Sequence, residues 1–206
     1  VLTEDEKKLG VCLIDIGGGT SDVDLFSDGA ISHTVNVPIA GEHVTNDIAR
    51  AIGTSIQNAE DIKKKHGCAL SVLADSDEII STKSINGRDN QSFSRQGLSS
   101  VIQERYQEIF QIIKQPMGRI NLAQVIPAGI VLTGGASRIE GISQLGEEIF
   151  QIPVRVGKPK GLIGLTDILS NQIYSTAVGL ILFAQKELEE DYMDFAMLNE
   201  KGIFNK

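Results

Sequence analysis

The sequence predicts an α/β fold built around buried strands, with a smaller α+β subdomain inserted into it. Two runs of consecutive apolar residues, Val11–Ile14 and Ile130–Leu132, are typical of strands that are buried on both faces of a sheet. A glycine turn follows each run within a few residues. Between them lies Leu98–Lys114, whose apolar residues recur at helical spacing. Strands that end in glycine turns and alternate with amphipathic helices indicate an α/β domain.

The composition limits the class of protein before any motif is considered. Of the 206 residues, 41% are hydrophobic and 22% are charged, as in an ordinary globular chain. The net charge of −8 argues against general binding to nucleic acid, which depends on basic side chains at the phosphates. The two cysteines form no C-x-x-C pair, so neither a disulfide framework nor a cysteine-based zinc site is expected. No apolar run approaches the roughly 20 residues that a membrane span requires.

Three strands in succession are predicted at the start of the chain. Val23–Phe26 follows the first strand directly, and Ile31–Ile39 comes after the turn signal Asp28-Gly29. Because the connections are short, we expect an antiparallel meander.

Two helices and an irregular segment come next, and they predict the inserted subdomain over residues 42–97. The first helix has Thr45 as a candidate N-cap, and Ser55–Lys65 predicts the second. The rest of the segment is polar, with short β-like pieces near Ile79 and Ile85.

The second half of the chain returns to the α/β pattern. The predicted elements are a helix over Leu98–Lys114, a strand over Ile130–Leu132, a helix over Ile142–Phe150, a strand over Val154–Val156 and a buried helix over Tyr174–Lys186. Pro116 is expected to end the first of these helices. Residues 1–41 and 98–190 therefore form the predicted lobe, and the acidic residues 191–206 form a solvated, mobile tail.

An acidic residue, three glycines and a hydroxyl residue follow the first strand. In D-I-G-G-G-T-S-D, Gly17, Gly18 and Gly19 allow a tight turn whose backbone N–H groups approach an anion. Asp15 suits Mg²⁺ bound through water, and Thr20 offers a hydroxyl to a phosphate or to metal-bound water. A glycine hairpin with an aspartate turn cap is the structural alternative. The combination favours a phosphate site, with Asp15 and Thr20 as candidate catalytic residues.

A second glycine turn follows the second buried strand. In L-T-G-G-A-S-R, Gly134, Gly135, Ala136, Ser137 and Arg138 lie between that strand and a predicted helix. Backbone amides at the start of a helix bind anions or lie flat against a ribose. Many α/β turns share this pattern, so its weight depends on its pairing with the first motif. The glycine spacing of a short-chain dehydrogenase or a Walker A loop is absent.

The third motif is A-E-D-I-K, in which Glu60 and Lys63 share one face of the second helix. A solvated charged surface is the alternative interpretation. The histidines His33, His43 and His66 show no metal-ligand spacing.

Taken in order and with their separation, the three motifs resemble the actin-like ATPase superfamily. There they are the second phosphate loop, the adenosine loop and, between them, an adenine–ribose helix in a small lobe. Four longer segments resemble the FtsA family of bacterial cell-division proteins in particular, and the resemblance extends from Val1 to about Phe183. These segments are V-L-T-E-D-E-K-K-L-G, H-G-C-A-L, A-G-I-V-L-T-G-G-A-S-R-I-E-G and Y-S-T-A-V-G-L. The resemblance implies an actin-like (ribonuclease H-like) lobe. Because the first phosphate loop is absent and the chain opens at Val1, we expect the second half of a longer protein.

The resemblance also implies a role for each motif residue. It implies ATP and Mg²⁺ as ligands, with Asp15 binding Mg²⁺ through water and Gly17, Gly18, Gly19 and Thr20 surrounding the β- and γ-phosphates. Glu60 and Lys63 are then expected near the ribose and adenine. Contacts with the adenosine are implied for Gly134, Gly135, Ala136 and Ser137, and Arg138 is expected to stack on the adenine.

The function that the resemblance implies is an ATP-binding protein that polymerises and anchors the tubulin-like protein FtsZ to the cytoplasmic membrane at the division septum. The FtsZ C-terminal tail is expected to dock on the inserted subdomain, where Arg88, Arg95 and Arg105 are the basic candidates; ordinary solvated arginines are the alternative. Other divisome proteins are expected partners, and nucleic acid is not. The family's membrane contact is a C-terminal amphipathic helix, of which Gly202–Lys206 could be only the first turn, and the acidic residues before it would be repelled by anionic lipid.

The implied activity is at most a weak ATPase in the full-length protein, and none in this piece, which lacks half of the phosphate site. Two other classes in the superfamily stay open as alternatives. A sugar or acetate kinase would need a catalytic acid and a substrate pocket, and a chaperone would need a peptide-binding domain.

Overall fold

The computed structural model describes residues 1–83, 91–117, 122–161 and 169–200. The chain divides into one unit over Val1–Gly157 and a second over Lys158–Lys206. The elements of the first unit are α1 (Glu4–Leu9), β1 (Val11–Ile16), β2 (Ser21–Ser27), β3 (Ala30–Val37), α2 (Gly41–Ile52), α3 (Ile56–His66), β4 (Ile79–Thr82), β5 (Gln91–Ser94), α4 (Arg95–Met117), α5 (Leu122–Val125), β6 (Ile130–Thr133), α6 (Ile142–Phe150) and β7 (Val154–Val156). The second unit contains α7 (Ser175–Glu200). Within the described residues, the predicted strands and helices of the first unit are confirmed to within a few residues, and the β-like piece predicted near Ile85 lies outside them.

Five strands form one mixed sheet in the order β3-β2-β1-β6-β7. The first three make the predicted antiparallel meander, whereas β6 lies parallel to β1 and β7 lies parallel to β6. Asp15 is opposite Thr133 in the β1–β6 register. The carboxyl ends of these two parallel strands therefore meet at one edge of the sheet, where both glycine turns begin.

The hydrophobic core lies against one face of this sheet. Ile14 and Ile16 alternate onto that face and are fully buried, and they join a core that includes Ile48 of α2 and Phe110 of α4. Residues of the predicted insertion, 42–97, contribute to the same core. The separation of that insertion from the lobe stays a prediction.

Two helices of the first unit differ in detail from the prediction. Helix α4 includes Pro116, which was expected to end it. Pro116 lies in the last described turn of the helix, which is followed by residues outside the described ranges. Helix α2 begins at Gly41, so Thr45 lies inside the helix and is not its N-cap.

Helix α7 differs most from what the sequence predicts. It continues through residues 191–200, which were expected to begin a mobile tail, and Gly202–Lys206 lie outside the described residues. The helix was expected to be buried, yet Leu180 is 65% exposed and Phe183 is 62% exposed. The prediction of burial is wrong, because an apolar pattern does not say what covers it. None of the helices that the structure describes has the length and apolarity to cross a membrane.

Candidate functional site

The first glycine motif is the turn that joins β1 to β2. The Gly17 N–H donates to the Thr20 carbonyl at 2.9 Å and closes the hairpin, and residues Gly18 to Thr20 are exposed at its tip. A Cβ placed on Gly19 would have no described atom within 4 Å. Gly19 has no positive φ either. The fold therefore does not require glycine at this position, whereas a ligand that approaches the backbone closely would.

The glycine turn is seated on the start of helix α2. The Gly41 N–H donates to the Gly17 carbonyl at 3.1 Å, and the Glu42 N–H donates to the Gly18 carbonyl at 2.8 Å. The first N–H groups of a helix lack acceptors within the helix. Here the carbonyl groups of the glycine turn are their acceptors. Sequence reasoning missed Gly41 and Glu42, although a glycine between a strand and a helical repeat was an available signal.

The second glycine motif touches the first at Gly134. This residue has φ of +87°, and a Cβ placed on it would lie 2.2 Å from Asp15 Oδ1 and 2.5 Å from the Ile16 carbonyl oxygen. Only glycine allows β1 and the loop after β6 to approach this closely. The structure thus brings the carboxylate of the first motif against the backbone of the second.

The helix predicted after the second motif, over Ile142–Phe150, is confirmed, but the motif's own amides do not lie at its start. Gly135–Arg138 form a 3-10 turn, and α6 begins only at Ile142. The intervening chain pairs with another loop instead, since the Glu140 carbonyl accepts from the Ala69 N–H at 2.7 Å. The Ser137 hydroxyl donates to the Gly134 carbonyl at 2.8 Å and closes the turn on itself.

A buried tyrosine of α4 is hydrogen-bonded to the backbone of this turn. The Tyr106 hydroxyl donates to the Ala136 carbonyl at 2.8 Å, and the side chain is almost fully buried. Burial and the nearby charge of Glu60 raise the pKa of Tyr106, so the hydroxyl stays a proton donor at neutral pH. Sequence reasoning missed Tyr106 because, as one member of an apolar helical stripe, it carried no separate signal.

The third motif is a partly buried network rather than a solvated charged surface. The Lys63 Nζ lies 2.7 Å from Glu60 Oε2, 2.7 Å from Thr45 Oγ1 and 2.9 Å from the Gly41 carbonyl oxygen. The Thr45 hydroxyl also contacts Glu60 Oε2. The predicted shared face of Glu60 and Lys63 is confirmed, and Thr45 is a member that the prediction missed.

The charge of Glu60 is stabilised by this network. Burial opposes ionisation of the carboxyl group, but hydrogen bonds from Lys63 and Thr45, with the charge of Lys63, outweigh it and lower its pKa to about 2. Glu60 is therefore an anion at neutral pH.

All three motifs meet at Gly41. A Cβ placed on this residue would lie 3.1 Å from Ala136 Cβ, 3.2 Å from the Gly17 carbonyl oxygen and 3.6 Å from Lys63 Nζ. Arg138 ends the 3-10 turn that contains Ala136, and its side chain is exposed.

Arg95, one of the three arginines predicted to receive a partner, is engaged within the chain. Its Nε donates to the His66 carbonyl at 3.0 Å, and its other nitrogens pair with Glu78 at 3.6 Å and with Glu140. It joins the end of α3, the approach to β4 and the loop before α6.

Arg105 is also engaged in ion pairs, with Asp47 of α2 and Glu108 of its own helix. Its side chain is 24% exposed. Arg88 lies outside the described residues.

The oxygen donors at the first glycine turn fit a magnesium ion that is coordinated jointly by protein and phosphate oxygens. The described residues contain no group of three or more His, Cys, Asp or Glu side chains that could hold a metal ion. Mg²⁺ commonly takes one or two carboxylates together with waters and phosphate oxygens. The Asp15 carboxylate next to an exposed turn, with open space at Gly19, is compatible with that arrangement.

The sequence matches a family model over most of its length. The model is described as "Cell division protein FtsA", and it matches residues 12–179. The chain belongs to the FtsA family. It is 52% identical over 183 residues to FtsA of Pseudomonas aeruginosa, which covers 89% of this chain and 44% of that relative. It is 43% identical over 193 residues to FtsA of Escherichia coli K12, which covers 90% of this chain and 46% of that relative.

The chain thus spans less than half the length of these FtsA relatives. Among solved structures, it is similar to MreB5 of Spiroplasma citri bound to AMPPNP, with a TM-score of 0.73 and 21% identity. The similarity covers 92% of this chain and 57% of the MreB5 chain. The fold is actin-like, as the ordered motifs predicted.

Proposed function

We propose that this chain is the part of an FtsA-type cell-division protein that binds the phosphates and the adenosine of ATP. The contact between Asp15 and Gly134 supports this most directly, because it joins the phosphate turn to the adenosine loop. Both motifs lie at the carboxyl ends of neighbouring parallel strands. Open sheets of this kind bind ligands in the crevice at that edge.

Each motif takes one part of the nucleotide in this proposal. Gly17, Gly18, Gly19 and Thr20 surround the β- and γ-phosphates, Asp15 holds Mg²⁺ through water, Glu60 and Lys63 belong to the ribose and adenine side, and Gly134, Gly135, Ala136, Ser137 and Arg138 receive the adenosine. Mg²⁺, when bound, neutralises phosphate charge. Asp15 and Thr20 stay the candidate catalytic residues for a weak ATPase of the full-length protein.

Isothermal titration of the full-length protein with MgATP tests the site. We expect Asp15→Asn to lower the affinity on the order of 10-fold, because one carboxylate charge is lost at the magnesium side. Asp28→Asn is the matched control, since Asp28 is exposed in the turn after β2, at the other end of that strand. Equal affinities of the two variants would contradict the proposal.

We further propose that the full-length protein polymerises and anchors FtsZ and other divisome proteins at the cytoplasmic face of the membrane at the septum. Membership of the FtsA family supports this function over the kinase and chaperone alternatives. The inserted segment 42–97 is the proposed docking region for the FtsZ C-terminal tail.

Fluorescence anisotropy with a labelled FtsZ tail peptide tests the docking region on the full-length protein. We expect saturable binding that weakens with Arg88→Glu and is unchanged by Lys8→Glu, an exposed lysine of α1 outside the proposed docking region. Arg95→Glu and Arg105→Glu also break intramolecular ion pairs, so circular dichroism must accompany them. Failure of a folded protein to bind the tail would refute the docking proposal.

A further inference from the structure

We infer that Lys63 is a positioning residue that holds the first turn of α2 against the phosphate turn, so that its effect is exerted on the phosphates rather than on the adenine. The inference rests on the proposed nucleotide site, and it gives Lys63 a role different from direct contact with the base.

The ammonium group of Lys63 is already occupied. A lysine ammonium has three N–H donors and no acceptor. Three oxygen atoms lie within 2.9 Å of Lys63 Nζ, from Glu60, Thr45 and Gly41. The side chain is only 11% exposed. A direct contact with adenine would have to displace one of these partners.

The partner that matters for the phosphates is Gly41. Lys63 donates to the carbonyl of Gly41, and the N–H of the same residue donates to the carbonyl of Gly17. The next N–H, of Glu42, donates to the carbonyl of Gly18. Gly41 therefore connects the lysine of α3 to the Gly17 carbonyl, and the adjacent Glu42 holds the Gly18 carbonyl of the same turn.

The neighbouring lysine provides a matched control. Lys64 lies on the same helix and pairs with the other oxygen of the same carboxylate, 3.2 Å from Glu60 Oε1, but its side chain is 67% exposed. Lys64→Met removes the same charge and one bond to Glu60, and it leaves the Gly41 and Thr45 contacts in place. The two variants separate loss of charge from loss of support for α2.

Hydrogen–deuterium exchange of the full-length protein without nucleotide is the first test. With fragmentation to single amides, we expect Lys63→Met to accelerate exchange of the Gly41 and Glu42 N–H groups on the order of 10-fold, since local opening becomes easier. Lys64→Met should change it by less than about 2-fold, and Lys63→Arg should restore most of the protection. Equal exchange in the two methionine variants would overturn the inference.

Nucleotide affinity is the second test and separates positioning from direct contact. Lys63→Met should weaken MgATP on the order of 10-fold and adenosine by less than about 3-fold, because only the phosphate turn is loosened. Equal weakening of both ligands would indicate direct contact with the base and overturn the inference. If the unsubstituted protein binds no MgATP, the proposed function fails, and the exchange experiment alone decides the positioning role.

A second substitution tests the inference if Lys63→Met destabilises the whole fold. If Lys63→Met also accelerates exchange in β6, the comparison passes to Glu60→Gln, which removes the charge that pairs with the ammonium and makes no change at Thr45 or at the Gly41 carbonyl. A smaller acceleration confined to Gly41 and Glu42 supports the inference. Acceleration that is equal in β6, or absent at the two amides, overturns it.

Discussion

The glycines of the two turns are required for different physical reasons. Gly134 has a left-handed backbone and no room for a Cβ against Asp15 and Ile16, so the fold itself demands it. Gly19 has open space and no positive φ, so any demand for glycine comes from outside the chain. The sequence shows the same letter at both positions and cannot distinguish the two cases.

Alanine substitutions should therefore separate stability from binding. We expect Gly134→Ala to lower the free energy of unfolding by about 3–5 kcal/mol, because backbone strain and a clash with Ile16 add. Gly19→Ala should change it by less than about 0.5 kcal/mol, yet reduce MgATP affinity of the full-length protein on the order of 10-fold. Urea unfolding and isothermal titration measure the two effects. A stable Gly134→Ala protein would show that β1 and the second turn do not meet as described.

Glu60 is expected to make stability depend on pH in the acid range. Its pKa is about 2 in the folded chain against an ordinary 4.5, so the ionised group stabilises the fold above pH 4.5 and this contribution is lost as pH falls from 4.5 towards 2. Glu60→Gln should cost about 1–2 kcal/mol at neutral pH, and its difference from the unsubstituted chain should shrink as pH falls through that window.

Urea unfolding at neutral pH and at three lower pH values measures this dependence. Asp61→Asn is the control, because Asp61 is exposed on the same helix. A Glu60→Gln deficit that stays constant between pH 5 and pH 2 would contradict the assignment.

At the scale of elements, α4 connects the parts of the first unit through its charged and polar side chains. Arg95 at its start contacts three separate segments, and Tyr106 in its middle supports the second turn. The spacing of apolar residues predicted this helix well. It could not predict these contacts, because their partners are far away in the sequence.

Arg95 is expected to act as a structural residue. Arg95→Ala should lower the free energy of unfolding by about 1–3 kcal/mol, because charge-assisted bonds to Glu78 and Glu140 and the bond to the His66 carbonyl are lost together. Arg50→Ala, an exposed arginine on α2, should change it by less than about 0.5 kcal/mol. Thermal unfolding followed by circular dichroism compares the two. Equal stability would leave Arg95 available for a partner, as the sequence first suggested.

Sequence reasoning did not predict the backbone of the second turn. The predicted strand and the predicted helix over Ile142–Phe150 are both present, but nothing in the sequence predicted the 3-10 turn at Gly135–Arg138 between them. The reason is a contact between loops, from Glu140 to Ala69, which no local pattern contains. The identity of the site residues was predictable, whereas the backbone that positions them was not.

At the scale of the whole molecule, the large hydrophobic cluster found among the described residues lies in the first unit. The members of the buried cluster lie between Cys12 and Val154. The resemblance carried by the ordered motifs implied the actin-like fold, and the sheet places both glycine turns at the carboxyl ends of β1 and β6. How far residues 42–97 act as a separate subdomain could not be read from composition, since their apolar side chains share that core.

The first unit is expected to fold without the second. A protein of residues 1–157 should unfold in one cooperative thermal transition, because it retains the whole buried cluster. A shorter protein of residues 1–140 is the control, since it lacks α6 and β7 with the buried Leu145 and Phe150. Circular dichroism melts distinguish them. Gradual, non-cooperative melting of residues 1–157 would show that the second unit is needed.

Strand β3 has a consequence for how the purified protein behaves in solution. It lies at an edge of the sheet, most of its residues are exposed, and Ala30–Val37 contain no proline and no Lys, Arg, Asp or Glu, the residues that discourage edge strands from pairing. Resistance to aggregation through this strand then depends on repulsion between molecules that each carry a net charge of −8. Salt weakens this repulsion, since the Debye screening length is about 10 Å at 0.1 M ionic strength. Near the isoelectric point of about 4.9 that repulsion vanishes, so colloidal stability is highest in a dilute, low-salt buffer of neutral or alkaline pH.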